Sequence, residues 1–287
     1  MDNLTNILTI KDLLHRHGFS FSKSLGQNFL INPSVCPRMA KYCGADSGVG
    51  VIEIGPGFGV LTHELCKMAD KVVSIELDKR LMPVLKETMA EHDNFKVINE
   101  DVLKVDLHKL IKEEFQGMRV VVCANLPYYI TSPVIMKLLE DKLMIDSITV
   151  MVQKEAALRL CAEIGTRDSS AITVAVNYYC EPKLLFHVCS GSFMPAPKVD
   201  SAVIRLDISE NPRVEAKDEK TFFTVVKAAF AQRRKTVVNS ISSTMGISKS
   251  ELSQILDDCK LSPTVRAEQL TLDDFKNIAD HIYERGN

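Results

Sequence analysis

Short β-branched runs alternate with amphipathic stretches of helix length through the first half of the chain. Residues 48–54 (GVGVIEI), 71–77, 95–99, 118–126 and 144–152 have the length and composition of strands. Between them, the stretch from Phe58, residues 78–91, 106–115 and 132–139 carry helical patterning. Asn32-Pro33 reads as an N-cap with proline at the first helical position, opening a helix through Lys41. This alternation predicts a mostly parallel sheet with helices on both faces, because parallel neighbours require long crossovers. Two later runs, LLFHV (184–188) and SAVIRLDI (201–208), suggest a hairpin-like pair closing one sheet edge. The polar, charged stretch 209–220 reads as a linker, and residues 221–283 are helical in pattern with little strand signal. The expected organisation is an α/β domain over 1–210 and a small all-helical domain over 211–287.

Composition narrows the picture without changing it. The chain has 287 residues, 46% hydrophobic and 25% charged, the balance of an ordinary globular protein. Its formal net charge of −2 argues mildly against a nucleic-acid partner. The charge is unevenly spread, however: Lys11, Arg16, Lys23, Arg38 and Lys41 face one acid, Asp12, between positions 11 and 41. A second cationic run, Gln232-Arg233-Arg234-Lys235, lies on a helical segment of a tail that is neutral overall, and this concentration of charge makes it a candidate contact for phosphates. The eight cysteines form no CxxC pair and no zinc spacing, so reduced, structural thiols are expected and no metal. No apolar stretch approaches the ~18 residues needed to cross a bilayer, and the N-terminus has no basic leader pattern. A soluble cytoplasmic protein is expected.

The candidate chemistry begins at Glu53-Ile54-Gly55-Pro56-Gly57-Phe58-Gly59, which leaves the first long strand and opens a helix. Glycines there permit a tight turn and close approach of a ligand to the main chain. The next strand ends in Glu76, where a carboxylate can accept hydrogen bonds from ribose hydroxyls. The third ends at Asn99-Glu100-Asp101, where an acid can accept from an adenine amino group. A nicotinamide fingerprint would require glycine at position 60, which is Val60. The alternating spacing Gly55, Gly57, Gly59 instead resembles loops that hold S-adenosylmethionine, a cofactor without phosphate.

The fourth strand ends in Asn125-Leu126-Pro127-Tyr128. An adenine amino group is a poor nucleophile, because its lone pair is delocalised into the ring. The Asn125 amide oxygen and the Leu126 carbonyl, each accepting one N–H, would favour a pyramidal nitrogen and aim its lone pair at a methyl donor. Pro127 removes a competing backbone donor, and Tyr128 offers a flat face for an extruded base. Phe193, in the loop SGSFMPAPKVD, is the candidate for the other face of that base.

At these residues the sequence resembles the ribosomal RNA adenine dimethyltransferases of the KsgA type. The resemblance runs through SLGQNFL (24–30), EIGPGFGVLT (53–62), ANLPYYITSP (124–133), VQKEAALRL (152–160), FMPAPKVDSAV (193–203), FAQRRKT (230–236) and RAEQLTLDDF (266–275). It implies a class I, Rossmann-like methyltransferase fold with a helical C-terminal domain. It also implies transfer of four methyl groups onto two adjacent adenosines near the 3′ end of small-subunit (16S) RNA, with a part in small-subunit biogenesis. Carried over by motif, the cofactor contacts are Asn28, Leu30, Gly55, Gly57, Glu76, Asp101 and Asn125. Asn125, Leu126, Pro127, Tyr128 and Phe193 form the catalytic set, and Lys23, Arg233, Arg234 and Lys235 are the RNA contacts. The implied partner is RNA within a pre-30S particle, met by a monomer. The alternatives are the macrolide-resistance type acting on large-subunit RNA, an assembly factor acting mainly by binding, and, more remotely, a nicotinamide dehydrogenase.

Overall fold

The computed structural model describes residues 4–19 and 26–286. They form two compact units: the chain up to Ala157 with Lys183–Ile208, and Leu158–Pro182 with Ser209 onward.

The first unit opens with α1 (Ile7–Arg16), a two-residue strand β1 (Phe29–Leu30) and α2 (Val35–Cys43). Asn32-Pro33 does not begin that helix. The Asn32 side chain accepts hydrogen bonds from the Ser34 N–H (3.0 Å) and hydroxyl (2.9 Å), making a turn that delays the helix to Val35. The sheet is then laid down by β2 (Val49–Ile54), β3 (Lys71–Glu76), β4 (Phe95–Asn99), β5 (Arg119–Asn125) and β6 (Ser147–Gln153), all parallel. Helices α3 (Val60–Cys66), α4 (Met82–Thr88), α5 (Leu107–Glu114) and α6 (Thr131–Glu140) are the crossovers. Every residue of β2 is buried, as a central strand covered on both faces requires, whereas β4 at the edge is mostly half-exposed.

Two short helices, α7 (Lys154–Leu160) and α8 (Ala171–Tyr179), follow the parallel strands. The late strands are β7 (Cys180–Val188), β8 (Phe193–Met194) and β9 (Ser201–Ile208). The sheet order is β4-β3-β2-β5-β6-β9-β7, with β9 antiparallel to β6 and β7 beside it at the edge, as the sequence pattern suggests. β8 leaves this sheet and pairs antiparallel with β1, setting Leu30 opposite Phe193. From β2 the chain moves outward to β3 and β4, then returns to place β5 on the other side of β2. That reversal opens a crevice at the carboxyl ends of β2 and β5, where open α/β sheets bind ligands.

In the second unit, α9 (Glu219–Phe230), α10 (Val237–Met245), α11 (Lys249–Asp258) and α12 (Leu272–Gly286) follow one another. Asp218, Thr236 and Ser248 each cap the next helix by accepting a backbone N–H three residues on. α8 joins this unit through aromatic packing: Tyr178 lies 4.9 Å from Phe222 and 5.0 Å from Phe223, ring centre to ring centre. The Tyr179 hydroxyl donates to Glu219 at 2.8 Å.

Candidate active site

The glycine loop between β2 and α3 has three left-handed residues, Gly55 (φ 71°), Gly57 (φ 60°) and Gly59 (φ 88°). Side chains rarely adopt this conformation, so the alternating glycines are a backbone requirement. Gly59 is also the N-cap, which starts α3 at Val60 and not at Phe58 as the pattern suggests. At Gly57 a Cβ would stand 2.9 Å from the Phe29 ring. That ring stacks on Phe58 with centres 3.9 Å apart and planes 11° from parallel. Thus residues 26–30 lie over the loop as a strap.

Strap, loop and strand tips enclose one cavity of about 1080 Å³, its open mouth included. Gly55 and Gly57 line it from the end of β2, Glu76 from β3, Asp101 from beyond β4 and Asn125 to Tyr128 from β5. Asn28 and Leu30 from the strap and Phe193 from β8 complete the expected set. Leu30 and Phe193 meet because β1 and β8 pair, although 163 positions separate them. Lys23 lies outside the described residues. Arg233, Arg234 and Lys235 belong to the second unit, and they occupy the turn between α9 and α10 rather than a helix. The reason is local: α9 ends at Phe230, the Lys235 N–H donates to the Gln232 carbonyl at 2.9 Å, and Thr236 caps the following helix. Residues that the pattern reading passed over also line the cavity, namely Gln27, Phe29, Glu100 and Tyr129. Glu100 was legible as a second acid at the tip of β4. Gln27 and Phe29 were not, because their roles depend on the strap's path.

The hydrogen bonding sorts these groups by readiness. Glu76 is buried, 7% exposed, and its carboxylate is already aimed: Oε1 accepts from the Asp78 N–H (2.8 Å) and Oε2 from the Gly57 N–H (3.3 Å). Burial pushes its carboxyl above the ordinary value, while those two N–H groups pull the other way. Asn99 ties the two strand tips together, donating from Nδ2 to the Glu76 carbonyl at 2.7 Å. Tyr128 is pinned by its hydroxyl to Ser201 at 2.7 Å, so its ring has a set orientation. The side-chain amide of Asn125 and the carbonyl of Leu126 have no hydrogen-bond partner among the described residues, although both residues line the cavity. Two adjacent unpaired acceptors beside an open cavity are what a primary amine would satisfy.

The matching family is described as "Ribosomal RNA adenine dimethylase", and its pattern spans residues 18–284. The chain belongs to that family. A ribosomal RNA small subunit methyltransferase A from Alkaliphilus oremlandii is 44% identical to it over 286 residues, covering 99% of this chain and 100% of the relative. Among solved structures, a dimethyladenosine transferase from Plasmodium falciparum shares 25% identity and a TM-score of 0.73, covering 90% of this dimethylase and 98% of that chain. A 23S rRNA methyltransferase, ErmE, shares 25% identity and a TM-score of 0.67 over 89% of this chain and 100% of its own.

The cavity fits the cofactor implied by that membership, S-adenosylmethionine. Among the described residues, three carboxylates, Glu76, Glu100 and Asp101, line it, and no lysine, arginine or histidine does. Such a lining suits a phosphate-free nucleoside bearing a sulfonium cation and opposes a dinucleotide pyrophosphate. Among the described residues no three His, Cys, Asp or Glu side chains are grouped to hold a metal ion. No described helix is long and apolar enough to cross a membrane.

One acid beneath the loop is not a ligand group in the dimethylase. Glu53 is 1% exposed, and its Oε2 accepts both the Thr62 hydroxyl (2.7 Å) and the Ser74 hydroxyl (2.6 Å), clamping α3 and β3 to β2. Its Oε1 is buried without a hydrogen-bond partner among the described residues. Burial, the largest cause, pushes this carboxyl up to about 7. A carboxyl raised in the folded state binds more protons there than in the unfolded chain. Its stabilisation is therefore full below the unfolded value near 4.5 and is lost as pH rises toward about 7. Glu53→Gln keeps the acceptor for both hydroxyls and cannot ionise. Chemical unfolding should show the wild type losing about 2–3 kcal/mol more than the variant between pH 5 and pH 8. Parallel pH profiles for the two proteins would show that Glu53 does not titrate in this range.

Proposed function

We propose that this chain transfers methyl groups from S-adenosylmethionine to N6 of two adjacent adenosines near the 3′ end of 16S ribosomal RNA. It acts as a cytoplasmic monomer on a pre-30S particle, and the methylation belongs to small-subunit biogenesis. The observation that carries the reading is the pair of unpaired acceptors, the Asn125 amide and the Leu126 carbonyl, at the carboxyl end of β5.

The cofactor supplies a methyl group on an electron-poor sulfonium carbon. Glu76 would hold the ribose hydroxyls, and Asp101 would accept from the adenine amino group of the cofactor. Gly55 and Gly57 let the backbone approach, while Asn28 and Leu30 close the side under the strap. The target adenine leaves its strand and lies against Tyr128, whose ring is fixed through Ser201. Phe193 offers the opposing face. The Asn125 oxygen and the Leu126 carbonyl each accept one N–H, which draws the nitrogen lone pair out of conjugation and points it along the line of attack. Pro127 restrains the backbone next to that carbonyl, because its ring fixes φ, here −56°. Once methylated, the adenine nitrogen would be cationic and would release a proton to water. No strong base is needed; positioning carries most of the rate. Lys23, Arg233, Arg234 and Lys235 would neutralise RNA phosphates.

The test is a map of methylated adenines in ribosomal RNA from cells with and without the gene. Loss of two adjacent dimethyladenosines near the 3′ end of 16S RNA is the expected result. Loss confined to 23S RNA would replace this reading with the large-subunit one that the likeness to ErmE favours. Comparing subunit maturation in the deletion strain with that of an Asn125 variant separates catalysis from a binding role.

A further inference from the structure

Among the described residues the strap over the cofactor cavity is held at three places, and one of the groups holding it is a side chain outside the cavity wall. At its far end β1 pairs with β8, and in the middle Phe29 stacks on Phe58. At its near end Gln27 donates from Nε2 to Asp78 Oδ2 at 2.9 Å. Asp78 is 6% exposed, and the same oxygen accepts from the Arg80 guanidinium at 2.6 Å. Its Oδ1 accepts from the Arg80 backbone N–H (3.1 Å) and from Arg80 Nε (2.8 Å). The guanidinium carbon of Arg80 in turn sits 4.9 Å from the centre of the Phe19 ring, which packs edge-on against Phe29 and Phe58. The backbone of Asp78 faces the other way, for its N–H donates to Glu76 Oε1 at 2.8 Å.

One residue therefore grips both sides of the cofactor cavity. Its main chain sets the carboxylate proposed for the ribose, and its side chain sets the strap that carries Asn28 and Leu30. We propose that Asp78 is a positioning residue that, through Gln27, holds the strap closed on the cofactor and thereby sets cofactor affinity. The inference rests on the cavity being the cofactor site. Without the Asp78 tie the strap would still fold over the loop through β1 and Phe29, but Gly26 and Gln27 would sample open positions. Ordering them would then fall to the binding step, which weakens binding without altering the reaction at the far side of the cavity. The Asp78 carboxylate suits this work because Arg80 satisfies most of its acceptor sites and leaves one direction for Gln27.

The experiment uses the full chain in four forms: wild type, Gln27→Ala, Asp78→Ala and the double variant. Calorimetry gives the Kd for S-adenosylmethionine and its demethylated product, and turnover on purified small subunits gives kcat and KM. Each single variant should raise the cofactor Kd about ten-fold, the scale of one charge-assisted hydrogen bond. The kcat at saturating cofactor and the KM for small subunits should stay within about two-fold, because adenine positioning is untouched. The double variant should bind no more weakly than the weaker single variant, since both remove one interaction. A Gln27→Ala Kd within two-fold of wild type overturns the proposal, as do effects that multiply in the double variant. A lowered Tm with an unmoved Kd also overturns it, by showing a purely structural role. Should Asp78→Ala not fold, Gln27→Ala decides alone. Wild-type binding and turnover test the cofactor reading itself, so its failure is separate from failure of the strap.

Discussion

Asn125→Ala is expected to lower kcat for methyl transfer to small subunits by about 10²–10³-fold, the scale for removing one preorganised polar group from a reacting centre. The argument starts from what the amide lacks. Its side chain has no hydrogen-bond partner among the described residues, so truncation breaks no internal bond, and folding stability should change by less than about 1 kcal/mol. The target nitrogen, by contrast, loses one of two acceptors, and its lone pair returns to conjugation with the ring. Cofactor affinity should fall less than kcat, because Glu76, Asp101 and the glycine loop remain. Single-turnover transfer of labelled methyl to purified small subunits measures the effect. A variant working at the wild-type rate would remove Asn125 from the mechanism.

Replacing Arg233, Arg234 and Lys235 together with alanine should weaken RNA binding by about 10- to 100-fold near physiological salt. All three side chains are exposed in the α9–α10 turn, and none has an ion-pair partner among the described residues. Three cations without an ion-pair partner among the described residues keep their charge available for phosphate. Each contact contributes roughly 0.7–0.9 to the slope of log K against log salt, so the slope should flatten by about 2–3. Stability should stay within about 0.5 kcal/mol, as for exposed residues away from a core. An unchanged slope, measured by RNA binding over a salt series, would reduce the run to a solvated turn.

Much of the site was legible before any folding. The tips of β2, β3, β4 and β5 could be located because strand ends are marked by a change from β-branched to glycine or polar residues. Gly55, Gly57, Glu76, Asp101 and Asn125 follow from those ends, and all line the one cavity. Element starts were read less well where a side chain competed with the backbone. Asn32 formed a turn of its own, and Gly59 in the left-handed region set the first residue of α3. The cationic run was assigned to a helix because its neighbours are helical in pattern, although a Thr cap directly after it marks a break.

Local information was enough for whatever depends on neighbours along the chain: the alternation of strands and helices, the left-handed glycines, and the acid or amide that ends each strand. The pairing of β1 with β8, the Gln27–Asp78 tie and the packing of Tyr178 and Tyr179 on Phe222 and Phe223 had no local signature. Each joins residues that are dozens of positions or more apart, and each forms because other elements have first fixed which surfaces and which polar groups remain uncovered. That is a property of the folded arrangement, in which burial and hydrogen-bond satisfaction are shared among distant residues, and no window of sequence contains it.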